Sequence, residues 1–467
     1  MSETQAKFLT GSLTRHIVTM SVTSAFGLLA LFVVDLVDMI FISMLGVEEL
    51  AAAVGFAGTI LFMTTSISIG MGIAGGALIA RALGEGKADR ARELLTHVVV
   101  FGVICAVIVA TAMFYNLDGL TGLIGATGET QALVISYLRI LIPTMPILLI
   151  GIVTSAALRG HGAARLAMMV TLVAGIVNAV LDPIFIFTFD MGLEGAAWAS
   201  VVSRFAMSTT AVWVLVRRYD GFSRLVPRAF LRDLKPITAI AFPAMLTNVA
   251  TPVGAAFVTR AAAEFGGPAV AGMAIIGRLT PIAFALIFAM SGAIGPIIGQ
   301  NFGAGQHARV REAYNRSLML IVLYVVPVIG VMYLLRAPIA DLFDAQGRTR
   351  DLVYLFCGPL SLAWVFNGVI FVGNAAYNNL GHPYYSTWIN WARNTLGIMP
   401  FVYVGARVWG AEGVLIGQMA GGVVVAIVSY VLAQRLMHHA ETDQIVNPIE
   451  PAFGGNRRSF VILNHRR

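Results

Sequence analysis

Charge is what this chain has least of: 12% of its 467 residues are Asp, Glu, Lys or Arg, where soluble domains carry about 25%. That deficit excludes an ordinary solvated surface. Alternating strands of about ten residues are missing too, because the apolar segments run about 20 residues or longer, and this excludes a membrane barrel. Cysteine is scarce. Cys105 and Cys357 both fall in apolar stretches and read as buried free thiols rather than a disulfide or a metal pair. No HExxH, nucleophile–base pair or phosphate-binding P-loop occurs, which argues against an enzyme and against direct ATP drive. Nothing in the sequence calls for a cofactor or a bound metal.

What remains is hydrophobic. With 58% apolar residues and a mean hydropathy of +0.82, the chain reads as an all-α polytopic membrane protein. Its 48 glycines suit helices whose backbones approach closely in lipid. Polar turns divide the apolar runs into twelve predicted transmembrane helices, at 16–44, 50–80, 94–115, 131–157, 164–188, 194–216, 236–261, 268–298, 314–335, 351–379, 385–406 and 411–435. Several exceed the ~20 residues a bilayer needs, so tilt or extension beyond the lipid is expected.

The net charge of +7 raises nucleic acid as a partner, but the basic residues sit in short loops between apolar spans, so none is expected. Arg81, Lys87, Arg90, Arg92, Arg159, Arg165, the basic segment 217–235, Arg309, Arg311 and Arg316 all fall on one side. The opposite loops of the first half, "GVEEL", "YNLDGLTGLIGATGET" and "DMGLEG", hold no Lys or Arg. The positive-inside rule therefore puts the basic side and both termini in the cytoplasm, with the chain in a cell's inner membrane.

An internal repeat organises the spans. "LGEGKADRARE" (83–93) matches "FGAGQHARVRE" (302–312), "GLEGAA" (192–197) matches "GAEGVL" (410–415), and "RGHG" (159–162) matches "LGHP" (380–383), at offsets of 219, 218 and 221 residues. Chance likeness between apolar helices would not keep loop glycines in step. Two halves with even numbers of spans run in the same membrane sense, so two six-helix bundles related by a pseudo-two-fold along the membrane normal are expected, with a cavity between them. The expected organisation is an N-terminal bundle at 1–216, a cytoplasmic linker at 217–235, a C-terminal bundle at 236–435 and a cytoplasmic tail at 436–467.

Acidic residues at membrane depth are confined to the first half. Asp35 and Asp38 lie in "FVVDLVDMIF" on helix 1, and Asp182 in "GIVNAVLDPIF" on helix 5. An ionised Asp at mid-helix costs ~2.5–3.5 kcal/mol on insertion scales, so such residues face a partner or a cavity and mark proton or ion sites. Asp35 and Asp38 are i,i+3, and Asn178 and Asp182 are i,i+4, so each pair shares a helix face. Pro183 frees backbone carbonyls one turn earlier, and Tyr137 on helix 4 can add a hydroxyl. Crowded carboxylates in a desolvated lobe resist double ionisation, which suits a proton-coupled step. Alternatively these groups satisfy helix-packing hydrogen bonds or pair with Arg204 on helix 6; Asp35 fits either reading. In the second half, Arg278 and Arg393 are membrane-depth cations that either contact an anionic group or tie helices together. His161 and His382 occupy matching loops and read as turn residues rather than proton sensors.

The segments "LVDMIFISMLG" (36–46), "ALRGHG" (157–162), "NAVLDPIFIF" (178–187), "GLEGAAWAS" (192–200), "AFPAM" (241–245) and "GPIIGQNFGAGQ" (295–306) resemble those of the MATE (multidrug and toxic compound extrusion) family, in family order and over nearly the whole chain to about residue 435. The resemblance implies a V-shaped pair of bundles, acting as a monomer, that exports cationic or amphipathic organic compounds against protons or sodium. It places the family's helix-1 acid on Asp38, its helix-5 pair on Asn178 and Asp182, and its helix-4 tyrosine on Tyr137. One branch instead uses carboxylates in helices 7 and 10; here 242–251 and 365–374 contain none, so the chain resembles the DinF-type branch, with coupling in the first bundle. The stretch 19–27 lacks the proline often found there. A lipid or glycan-precursor flippase of the same broad superfamily is the alternative. Neither reading identifies the substrate-binding residues.

Overall fold

Apolar runs of this length become helices in lipid because every backbone N–H and C=O must be satisfied within the segment. The structure, a computed structural model, describes residues 6–45 and 48–446, among which there is helix, turn and loop but no strand. The first bundle comprises α1 (Leu13–Ser43), α2 (Glu48–Gly84), α3 (Ala88–Tyr115), α4 (Gly128–Gly160), α5 (Ala164–Thr188) and α6 (Gly192–Arg218). The second opens with α7 (Pro227–Ala263), then α8 in two pieces (Gly267–Ala283 and Ala285–Gly303), α9 (His307–Leu342) and α10 (Pro359–Asn379).

Eleven runs among the described residues are long and apolar enough to cross a bilayer, and the last, Pro383–Thr442, turns back on itself. At Gly410 the backbone takes φ 63° and ψ −136°, a region open only to glycine. The run therefore supplies α11 (383–409) and α12 (411–446), completing twelve. Along this hairpin Gly397 faces Gly421, Phe401 faces Gly417 and Gly405 faces Gly413, each glycine set against opposing backbone where a Cβ would collide.

Helix ends depart from the hydropathy boundaries where polar turns remain helical. α3 and α9 begin at Ala88 and His307, well before 94 and 314, and their extra turns carry arginines, Arg90 and Arg92 in α3 and Arg309 and Arg311 in α9. Most of the basic segment 217–235 is helical as well. α7 starts at Pro227, and a first-turn proline gives up only an N–H that has no intrahelical partner. Two predicted helices are interrupted. The span 268–298 breaks at Phe284, three residues after Pro281. The span 351–379 breaks between Phe356 and Trp364, at Gly358–Pro359, because a residue preceding proline is pushed out of helical geometry.

Two apolar cores follow the bundles, one drawn from Ile42 through Ala241, so that it takes in the N-terminal part of α7, and the other from Ala269 through Met437. The bundles meet where α1 lies against α8 and α2 against α7 and α8. The pseudo-two-fold is visible atom by atom at the end carrying the basic loops. A Cβ at Gly84 would strike the Gln300 carbonyl, and one at Gly303 would strike the Arg81 carbonyl. These contacts are images of each other at the 219-residue offset. The same end is sealed by the segment preceding α1. Phe8, 1% exposed, donates its N–H to Gln300 Oε1 (2.9 Å), while its carbonyl accepts from Asn301 Nδ2 (3.2 Å) and Arg309 Nη2 (3.1 Å). Gln300 Nε2 then donates to the Gly160 carbonyl at 2.8 Å, tying α8 to α4.

Candidate coupling site and central cavity

α1 and α5 pack closely because glycine faces them at two levels, with Gly27 against Met168 and Gly175 against Val34. Val34 lies one turn before Asp38, so Asp38 is turned toward α5. There Asn178 and Asp182 occupy consecutive turns, 9% and 0% exposed. Asn178 Nδ2 donates to Asp182 Oδ2 at 2.7 Å and to Asp38 Oδ2 at 3.3 Å. Asn178 thus bridges the two carboxyl groups, one on α1 and one on α5. Their other oxygens, Asp38 Oδ1 and Asp182 Oδ1, are buried and meet no donor among the described residues. Immediately after Pro183 the helix widens into a π turn at Ile184–Thr188, the kind of local irregularity that freed carbonyls produce.

Tyr137 is half-buried beside Ser200 and Arg204, within electrostatic reach of both carboxyls. Arg204 does not pair with them. It donates to the Leu141 carbonyl (2.9 Å) and Thr144 Oγ1 (2.7 Å), capping the 3-10 turn Ile142–Thr144 inside α4. Asp35 is exposed and has no hydrogen bond or ion pair to a described residue. It continues the α1 face of Ser24, Leu28 and Phe32, the face that lines the cavity between the bundles.

That cavity measures about 890 Å³ and takes lining residues from both bundles. Its aromatic wall is formed by Phe32, Phe371 and Trp364 gathered around Phe288, at ring-centroid distances of 5.3–6.3 Å from it. Arg159 from α4 and Arg393 from α11 also line it. Arg393 opens a second π turn, Arg393–Gly397. Arg278, by contrast, is exposed on the first piece of α8 and does not line the cavity.

A further cluster joins α3 to α7 at the basic end. Glu93, His97 and Asp233 offer ligand atoms within 4.8 Å of one another. Arg90 already grips both Asp233 oxygens, at 2.5 and 2.6 Å, and reaches Glu93 at 2.6 Å. His97 Nδ1 lies 2.7 Å from Asp233 Oδ2. The guanidinium fork fills the place a cation would take, and the cluster is an ion-paired joint. In the loop before α5, burial holds His161 down to about 4, and burial lowers His382 likewise. Both are neutral near pH 7 and stacked, on Tyr219 and Tyr385 respectively.

Sequence reading left three of these features out. Arg159 counts as a loop cation by position, yet its side chain turns back into the cavity. Gln300 and Asn301, both fully buried, lie in the segment 295–306 that carries the family resemblance, but nothing there marks them as partners of Phe8. The Arg90–Asp233 joint spans 143 residues, beyond any local pattern.

Twelve helices in two bundles around a shared cavity are the architecture of a multi-pass membrane transporter. The chain belongs to the MatE family, whose model matches residues 24–184 and 243–404. It is similar to a protein of Shewanella oneidensis named FAD transporter, 26% identical over 438 residues that cover 92% of this chain and 96% of that protein. It is also similar to the multidrug export protein MepA of Staphylococcus saprophyticus, 22% identical over 89% of this chain and 93% of the relative. A crystal structure of a mutant of the Vibrio cholerae MATE transporter VcmN superposes with a TM-score of 0.87 at 27% identity, covering 91% of this chain and 97% of that one.

Proposed function

We propose that the protein is a secondary active exporter of amphipathic organic compounds, driven by protons exchanged at the Asp38–Asp182 pair, with its basic loops on the cytoplasmic face of the inner membrane. The observation that carries this reading is the pair itself. Asn178 bridges the two carboxyls, and each keeps a buried oxygen that no donor reaches among the described residues. A proton needs only two facing oxygens. A sodium ion needs several, and Asn178 aims a donor N–H at the site, not an oxygen.

Coupling follows from where α1 stands. One face carries Val34 and Asp38 against α5; the adjacent face carries Leu28 and Phe32 into the cavity. Losing the shared proton sets two negative charges against each other and drives α1 from α5, which moves the cavity wall. Each unit of difference in proton affinity between two conformations supplies about 1.36 kcal/mol to that bias. Relatives named for multidrug export and for FAD transport support a small organic substrate, and the aromatic wall suits a flat one.

The test is substrate binding as a function of pH, without a gradient, in wild type, Asp35→Asn and Asp38→Asn. Asp38→Asn should flatten the pH dependence while Asp35→Asn retains it. The reverse pattern would move the exchanged proton to Asp35 and refute the pair.

A further inference from the structure

Family resemblance leads one to expect a cation in the central cavity, yet the lining residues include two arginines and no aspartate or glutamate. Neither arginine is neutralised. Arg159 donates to Ser155 Oγ at 3.1 Å, one turn back on its own helix, and Arg393 donates to Asn367 Oδ1 at 2.8 Å. Both acceptors are uncharged. No ion pair among the described residues involves either guanidinium. Arg393 Nε and Trp364 Nε1 are buried N–H groups without an acceptor among the described residues. The cavity wall thus holds spare donors and fixed positive charge, an arrangement that is costly away from bulk water until an anion meets it.

Asp35 lies about one turn beyond Phe32 on the same α1 face, outside the lined wall. It does not sit against either arginine in an ion pair. The proton-exchanging pair faces the opposite neighbour, α5, so its charge is not offered to the cavity.

We infer that the central cavity is a binding site for organic anions, with the guanidinium groups of Arg159 and Arg393 taking a carboxylate, sulfonate or phosphate and the Phe32–Phe288–Phe371–Trp364 wall taking a flat aromatic body. A guanidinium binds such oxyanions through parallel N–H donors. About 890 Å³ is room for a drug-sized multi-ring molecule. One arginine comes from each bundle, so an anion held at either sits in a cavity that both halves line. This inference rests on the export reading for its physiological sense, though the site's charge preference does not depend on it.

Two xanthene dyes of similar size and opposite charge separate the possibilities: carboxyfluorescein, an anion, and tetramethylrhodamine methyl ester, a cation. Binding is read by fluorescence polarisation at fixed pH to the full chain in phosphatidylcholine nanodiscs, which keeps anionic headgroups out of the measurement. Carboxyfluorescein should bind at least about tenfold more tightly than the rhodamine ester. Arg393→Gln and Arg159→Gln should each weaken it by about tenfold, the scale of one hydrogen bond to a charged group, without weakening the cation. Arg393→Lys keeps the charge and should retain part of the affinity, which guards against a folding artefact. Tighter binding of the rhodamine ester, or glutamine variants that bind carboxyfluorescein as wild type does, would overturn the inference. Proteoliposome uptake of the same dyes under a pH gradient reads the export proposal separately. Binding of the anion with no driven transport would sink export and spare the site; driven transport of the cation alone would do the opposite.

Discussion

Asp35 and Asp38 are three residues apart in an otherwise apolar helix, yet they have different neighbours. A separation of i,i+3 leaves roughly 60° between side chains, enough to straddle the edge between the α5-facing and cavity-facing sides of α1. The i,i+4 pairing of Asn178 and Asp182 was legible from spacing alone. That Asp38 would meet them across 140 residues was not, because it depends on which helices become neighbours. Arg159 was misread for a related reason: the positive-inside rule counts residues by position and is blind to a side chain that folds back. At this scale His161 gives a test. Its folded value of about 4 lies below the ordinary 6.5, so on acidification the unfolded chain takes up a proton before the folded one does. The stability it contributes is therefore complete above 6.5 and declines as pH falls toward 4. Between pH 7.5 and pH 5 the thermal midpoint should fall further for wild type than for His161→Phe, which preserves an aromatic ring against Tyr219. Equal falls would show that His161 is not held neutral.

At the level of elements, the repeat was readable because loop glycines kept their offset, and Gly84 and Gly303 turn out to be contact points rather than mere turn formers. Helix interruptions were harder to see. The breaks at Phe284 and at Gly358–Pro359 lie inside apolar runs whose hydropathy is continuous, and only the prolines hint at them. The burial of Phe8 was invisible, since nothing local in a polar leader announces a docking site under α8. The close glycine crossing of α2 and α8 should be required for closure at the basic end. Gly84→Ala forces a Cβ into the Gln300 carbonyl, and overpacking of this kind costs about 1–3 kcal/mol. A cysteine at Ala80, in a Cys105→Ser/Cys357→Ser background, should then react about tenfold or more faster with an impermeant maleimide in inverted vesicles. Unchanged reactivity would mean that the crossing does not hold this end shut.

Across the whole molecule, composition alone called for a polytopic helical protein, and the loop charges predicted its orientation. Twelve spans were countable from hydropathy, although α11 and α12 form one uninterrupted apolar run and are separated only by Gly410. The cavity's electrostatic character was out of reach, because it depends on side-chain direction at two positions in different bundles. Cysteines at Glu194 and Lys87 test the orientation. The first should label in intact cells and the second only in inverted vesicles; the opposite pattern would invert the topology.

The central claim is that a proton shared by Asp38 and Asp182 drives export. Its most direct measurement is substrate movement in proteoliposomes under a proton gradient and, separately, a sodium gradient, for wild type and Asp38→Asn. The account predicts transport with the proton gradient alone, reduced by at least about tenfold in Asp38→Asn, since each lost unit of differential proton affinity removes a factor of ten in coupling. Transport driven by sodium at constant pH, or undiminished proton-driven transport by Asp38→Asn, would contradict it.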